Sequence, residues 1–115
     1  MNKVMLIGRL TKDPDIRYAN NDDNTVIARY TLAVQRNKDD ADFIGCVAFG
    51  GAGEFVEKYL KQGMKIGIVG HIQTGSYEKD KKKVYTTDVV VESHEFCESK
   101  REEEDEKPQR KGSRR

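Results

Sequence analysis

A chain of 115 residues allows one domain with its own core, and its 21 Lys and Arg against 20 Asp and Glu leave a formal net charge of +1. No apolar run is long enough to cross a bilayer, no signal-peptide pattern is present, and two cysteines, Cys46 and Cys97, make no disulfide framework. We therefore expect a cytoplasmic protein without membrane contact, in which any affinity for nucleic acid comes from local charge and stacking.

Five strands and one helix are predicted in chain order. The first strand bends at Gly8 and is followed by a break at Pro14, and a lysine-rich hairpin turn at 78–83 joins the last two strands. The predicted strands are residues 3–10, 25–36, 42–49, 65–77 and 84–96.

The predicted helix covers residues 54–62. Phe55, Val56, Tyr59 and Leu60 recur at helical spacing, and Gly63 stands where a C-terminal cap belongs. The glycine-rich segment 50–53 before it lacks the Gly-Lys-Ser/Thr ending of a phosphate-binding loop, so we interpret it as a turn.

This order of elements predicts an all-β fold. Three strands, a short helix and two more strands form the order of a five-stranded oligonucleotide-binding (OB) barrel, with the helix between the third and fourth strands. We place this domain at residues 1–97. Residues 98–115 are charged and contain no apolar side chain, so we expect a disordered tail.

Strand alternation predicts which side chains face the barrel interior. In the fourth strand the interior set is Ile66, Ile68, Gly70, Ile72 and Thr74. Both faces of the first strand are apolar, with Val4 and Leu6 on one side and Met5 and Ile7 on the other. A small barrel has a single interior, so we assign Met5 and Ile7 to an interface between copies of the chain. The alternative is that the tail or the helix covers this face.

Aromatic side chains on the strand surfaces suggest stacking platforms. Phe43 and Phe49 share one face of the third strand, about 20 Å apart, and Tyr77 lies out of phase with the interior isoleucines beside the lysine-rich turn. A single nucleic-acid strand laid across a sheet needs separated flat groups of this kind, although a phenylalanine on a strand is more often a core residue.

Seven segments together resemble the bacterial single-stranded DNA-binding proteins over about residues 2–96. In order they are NKV (2–4), GRLTKDP (8–14), RY (17–18), TLAV (31–34), DFI (42–44), EKYLKQG (57–63) and VYTTDVVV (84–91). The resemblance implies an OB-fold protein that coats single-stranded DNA without sequence preference in replication, recombination or repair. It also implies a homotetramer, with a dimer as the alternative, and places the family's stacking aromatics on Phe43, Phe49 and Tyr77.

The chain departs from the family pattern at several positions. A further stacking position falls on Lys38, and usual basic positions fall on Gly45, Gly51, Gln73 and Gly75, so we expect weaker or more salt-sensitive binding. The remaining candidates for phosphate contact are Lys3, Arg9, Arg29, Arg36, Lys38, Lys79, Lys81, Lys82 and Lys83. The family's acidic tail tip, which docks partner enzymes, is absent from the printed sequence, and this suits an accessory paralogue or a protein of a phage or mobile element.

Other chemistry has little support in the sequence. Only His94 and Cys97 are close among the potential metal ligands, and one such pair does not make a zinc site, so no metal or cofactor is expected. We expect the histidines at the surface and Cys46 in the core. No nucleophile–base motif appears, which argues against an enzyme. The alternative is an OB-fold interaction module of a replication or primosome complex with weak DNA affinity.

Overall fold

The computed structural model describes residues 1–20 and 25–97. Within these ranges the chain forms six strands and one helix, which confirms the predicted all-β class with a short helix. The elements are β1 (Val4–Leu10), β2 (Asp15–Tyr18), β3 (Val26–Gln35), β4 (Ala41–Phe49), α1 (Gly50–Tyr59), β5 (Lys65–Lys79) and β6 (Lys82–Phe96). The predicted tail, residues 98–115, lies outside the described residues.

Five of the strands close into a ring in the order β1-β5-β6-β4-β3. The ring closes because β1 pairs with β5 along most of its length and with β3 at its end, through Arg9 with Ala33 and Leu10 with Leu32. All of these pairings are antiparallel except the short parallel contact of β4 with β6, at Cys46–Val89 and Val47–Val90. Closure leaves one interior for apolar side chains.

The strand β2 was not predicted. Pro14 was interpreted as the end of the first strand, but after it the chain resumes an extended path and pairs with β3, from Asp15–Arg29 to Tyr18–Val26. Only Ile16 in this segment is partly buried, so its sequence carries almost no alternating pattern. β2 adds to the outer edge of β3 and is no part of the ring.

The helix α1 packs on the barrel and begins earlier than predicted. The segment 50–53, interpreted as a turn, forms its first turn. Gly53 is buried there, and a Cβ on it would lie 2.9 Å from the carbonyl oxygens of Val26 and Ala48. Val56 reaches the core, whose largest fully buried side chains are Leu10, Leu32, Ile66 and Val56. Cys46 is buried as predicted.

The hairpin of β5 and β6 is longer than the barrel. Pairing continues to Lys79–Lys82, and the turn is only Asp80 and Lys81, both with positive φ as a two-residue hairpin turn requires. Ile66, Ile68 and Gly70 line the interior as predicted, but the prediction was wrong for Ile72, which is 46% exposed, and for Thr74. The outer part of the hairpin forms a two-stranded arm that no interior covers.

A close backbone approach at Gly70 gives a stability prediction. A Cβ at Gly70 would lie 2.2 Å from the carbonyl oxygen of Val90, whereas at Gly67 on the same strand the nearest atom would be the sulfur of Cys97 at 3.4 Å. We expect Gly70→Ala to lower the free energy of unfolding by about 1–3 kcal/mol, because backbone must move to accommodate the methyl group. Urea unfolding at one protein concentration measures this, with Gly67→Ala as the matched control; equal effects would contradict it.

His94, expected at the surface, is instead half-buried. Its Nε2 lies 2.7 Å from the hydroxyl of Tyr30, and its ring stacks on Phe55 with a centroid distance of 5.1 Å. Burial lowers the pKa of His94 from 6.5 to about 4 and raises that of the Tyr30 hydroxyl above its ordinary value. The folded protein therefore favours neutral His94.

This shift predicts a pH dependence of stability. Between pH 6.5 and 4 the unfolded chain binds a proton at His94 that the folded chain does not, so stability present above pH 6.5 is lost as the pH falls. After allowance for partial exposure we expect a loss of about 1–2 kcal/mol from this group. Urea unfolding at several pH values should show a smaller loss in His94→Gln than in the parent; parallel pH curves would contradict the assignment.

Candidate nucleic-acid interface

Strand register brings the three predicted stacking residues onto one surface. The buried Cys46 and Val89 pair with each other, and the exposed Ile72 pairs with Val89 on the same side of the sheet. Their neighbours Val47, Val90 and His71 therefore lie on the opposite side. The odd-numbered residues of β3, β4 and β5 and the even-numbered residues 84–90 of β6 therefore form a continuous outer face. We call this surface the aromatic face.

Phe43, Phe49 and Tyr77 all belong to the aromatic face. They are 68%, 44% and 53% exposed, although large aromatic side chains are usually buried. Phe43 lies near one end of β4, Phe49 is its last residue, and Tyr77 lies on the hairpin arm two residues before the end of the pairing with β6. Their accessibility agrees with the alternation in the sequence.

Small side chains separate these aromatics. Gly45 and the buried Val47 lie between Phe43 and Phe49 along β4, and Gly75 precedes Tyr77 by two positions on the same face of β5. Since neither glycine projects above the sheet, a polymer could follow the face and contact the rings in succession. The arrangement is therefore open and elongated, unlike the enclosed pocket of a small-molecule enzyme.

Three of the candidate phosphate contacts already have a carboxylate partner. Lys3 is paired with Glu92, and Arg36 is paired with Asp42. Arg29 lies on the aromatic face with its Nη1 3.9 Å from Oδ2 of Asp88. The hydrogen bonds to Arg36 and Lys3 hold the pKa values of Asp42 and Glu92 below their ordinary range, so both carboxylates stay charged near neutral pH.

The other candidates fall into two groups. Arg9 donates a hydrogen bond to the carbonyl oxygen of Gly63 at 2.9 Å and lines an open pocket with Lys38 and Lys65. The hairpin lysines Lys79, Lys81, Lys82 and Lys83 stand at the end of the arm, beyond Tyr77. Within residues 1–20 and 25–97, no ion pair joins Lys38 or any hairpin lysine to a carboxylate.

Met5 and Ile7 lie on the outer face of β1, as the alternation predicted. They are 76% and 57% exposed, and with Val69 and Phe96 they line a shallow apolar groove. A second apolar surface was missed by sequence reasoning. It consists of Ile72 and Tyr85, on the side of the hairpin arm opposite to the aromatic face. Nζ of Lys83 lies 5.7 Å from the centroid of the Tyr85 ring there.

Tyr85 and Ile72 share the alternation of the true core residues Val89 and Ile68, and this explains why they were missed. What separates Ile72 and Tyr85 from the core residues is that the hairpin extends beyond the barrel, and strand alternation gives no information about that length. Asp88 was also missed, since a single carboxylate in a strand has no sequence signature.

Two negative findings apply to the described part of the chain. No group of three or more His, Cys, Asp or Glu side chains there could hold a metal ion. No helix there is long and apolar enough to span a membrane.

Comparison with known proteins agrees with this geometry. Residues 1–97 match the single-strand binding protein family. The chain is 55% identical over 102 residues to the single-stranded DNA-binding protein of Clostridium perfringens (strain 13 / Type A), an alignment that covers 86% of this chain and 67% of that protein.

Two further relatives show the same relation. The single-stranded DNA-binding protein of Bacillus cereus is 47% identical over 105 residues, covering 85% of this chain and 61% of the relative. Single-stranded DNA-binding protein 3 of Listeria innocua serovar 6a is 45% identical over 107 residues, covering 87% and 66%. The chain thus spans about three fifths to two thirds of the length of these proteins.

Proposed function

Because this chain belongs to the single-strand binding protein family, we propose that it binds single-stranded DNA without sequence preference and acts as a coat rather than as an enzyme. The observation that carries the proposal is the aromatic face, on which Phe43, Phe49 and Tyr77 are exposed together. Each base that stacks on such a ring contributes about 1–3 kcal/mol, and every base has a flat face to offer.

The charge distribution supports a particular path for the strand. The hairpin lysines stand beyond Tyr77 at the end of the arm and have no carboxylate partner within the described residues. Like Lys38, they are therefore available to bind phosphates, which would release counterions. The strand would follow β4 past Phe49 and Phe43 and then the arm towards Tyr77, with its backbone held at the hairpin lysines.

The proposed cellular role follows from the processes that expose single-stranded DNA. Exposed single strands arise in replication, recombination and repair, and a protein that covers them without base preference protects them in all three. We propose this role in the cytoplasm. The prediction that the family's acidic, partner-docking tail tip is absent concerns residues 98–115, which lie outside the described residues.

Two exposed apolar surfaces support a homotetramer. Met5 and Ile7 form one on β1, and Ile72 and Tyr85 form the other on the opposite side of the β5–β6 arm. If each surface meets its own copy across a two-fold axis, the two interfaces together generate a closed tetramer, and one alone gives a dimer. Burying these side chains would also remove exposed apolar area that otherwise promotes aggregation.

The binding proposal is tested by titrating labelled oligo-dT at low and high salt. We expect tight binding at low salt that weakens as salt rises, and much weaker binding to duplex DNA. Tyr77→Ala should weaken oligo-dT binding by about 1–3 kcal/mol, a factor of roughly 5 to 150, because one stacking platform is lost.

The matched control is Tyr59→Ala, which removes an exposed tyrosine on α1, away from the aromatic face. Equal affinity for duplex and single strand, or affinity independent of salt, would contradict the proposal. A Tyr77→Ala variant with unchanged affinity would remove Tyr77 from the site.

The assembly proposal is tested by light scattering, with and without oligo-dT. We expect a mass of four copies of the 13.1-kDa chain. Met5→Asp should reduce the assembly because a buried unpaired charge is unfavourable at an apolar interface, whereas Met5→Leu should keep it. A monomeric parent protein, or a Met5→Asp variant that assembles as the parent does, would contradict the interface.

A further inference from the structure

The aromatic face carries a negative charge between its phenylalanines. Asp88 of β6 lies beside Gly45, in the stretch of β4 between Phe43 and Phe49, and its carboxylate is directed towards Arg29 of β3. A carboxylate in this place is unexpected for a surface that binds a polyanion. Any role of this carboxylate in DNA binding rests on the proposed function.

We propose that Asp88 competes with DNA phosphate for Arg29, so that Asp88 weakens single-strand binding and reduces its dependence on salt. Arg29 lies on the same face as Phe43 and Phe49, because it pairs with Val47 in the register of β3 and β4. A phosphate that follows bases stacked on these rings would pass within reach of Arg29, and it would meet Asp88 there.

The ion pair crosses β4 at a position without a side chain. Asp88 Oδ1 lies 3.1 Å from where a Cβ of residue 45 would be, so the carboxylate occupies the space above Gly45. A larger residue at position 45 would contact Asp88 and separate it from Arg29. The glycine thus allows a pair between two strands that are not neighbours in the sheet.

The pair is close enough to interact but open enough to be displaced. Its shortest N–O distance of 3.9 Å exceeds that of a hydrogen bond, and the side chains of Arg29 and Asp88 are 57% and 35% exposed. Exposed ion pairs of this kind contribute little to stability, because water and salt screen them. A phosphate can therefore reach the guanidinium and bind it with two hydrogen bonds, but the Asp88 carboxylate then remains next to the phosphate and repels it.

The competition has a measurable consequence beyond affinity. For a single strand, the slope of log binding constant against log salt concentration is about −0.7 for each phosphate neutralised, because each contact releases counterions bound to the DNA. When a phosphate displaces a carboxylate from an arginine, the displaced carboxylate attracts a cation from solution. The net number of ions released on binding is then smaller. Removal of the Asp88 charge should therefore make the salt dependence steeper as well as the binding tighter.

The test is Asp88→Asn, which keeps the shape of the side chain and removes its charge. At low salt we expect oligo-dT to bind the variant about 3–10 times more tightly than it binds the parent protein. The slope of log binding constant against log salt concentration should be steeper by up to about 0.7. The matched control is Glu54→Gln, which removes one negative charge from α1 and should change both quantities much less. Asp88→Ser should give the same result as Asp88→Asn.

The same Asp88→Asn substitution in an Arg29→Gln protein tests whether Asp88 acts through Arg29. If Asp88 acts by occupying Arg29, then adding Asp88→Asn to an Arg29→Gln protein should bring no more than the effect of Glu54→Gln. A full gain in the Arg29→Gln background would overturn the competition, because Asp88 would then act as a general negative charge.

The outcomes separate this inference from the proposed function. A parent protein that binds oligo-dT, together with an Asp88→Asn variant of unchanged affinity and salt slope, would overturn the inference alone. A parent protein that does not bind oligo-dT would overturn the proposed function and the inference with it.

Discussion

The ring of strands closes where the end of β1 pairs with β3, at Arg9–Ala33 and Leu10–Leu32. This contact depends on Gly8, since a Cβ there would lie 2.5 Å from the carbonyl oxygen of Ala33. Closure defines a single interior, and every second side chain of β3, β4 and β5 must then face outward. The aromatic face exists because Phe43 and Phe49 fall on the outward positions of β4.

The same constraint explains which sequence predictions are confirmed. Within the barrel, alternation identified the buried Ile66 and Ile68 and the exposed Met5 and Ile7, because one face of each strand is covered. On the arm it was wrong for Ile72, because the β5–β6 hairpin extends beyond the interior. Periodicity reports that two residues share a face, but it does not report whether anything covers that face.

Three other differences between prediction and structure come from contacts between distant parts of the chain. The strand β2 depends on hydrogen bonds to β3 and has almost no apolar pattern of its own. The glycine-rich start of α1 reads as a turn, yet helix geometry is favoured there because Gly53 can approach the ends of β3 and β4 closely. His94 was unpredictable because its partners, Tyr30 and Phe55, are distant in the sequence. Each case depends on a tertiary contact that local sequence does not encode.

The charges divide the proposed site into two parts. On and beside the sheet, Lys3, Arg29 and Arg36 each have a carboxylate partner, so in the proposed function bases would be held there mainly by stacking. At the tip of the arm the hairpin lysines have no such partner within the described residues. In the proposed function, these lysines would supply local positive charge beside the exposed Tyr77, although the net charge of the chain is only +1.

Photochemical cross-linking of oligo-dT to the protein, followed by mass spectrometry of the linked peptides, tests the position of the strand most directly. Cross-links at Phe43, Phe49 and Tyr77 are predicted. Cross-links confined to Phe55, Tyr59 or Phe96, the aromatic cluster on α1 and the end of β6, would place the strand on another surface and contradict the assignment of the aromatic face.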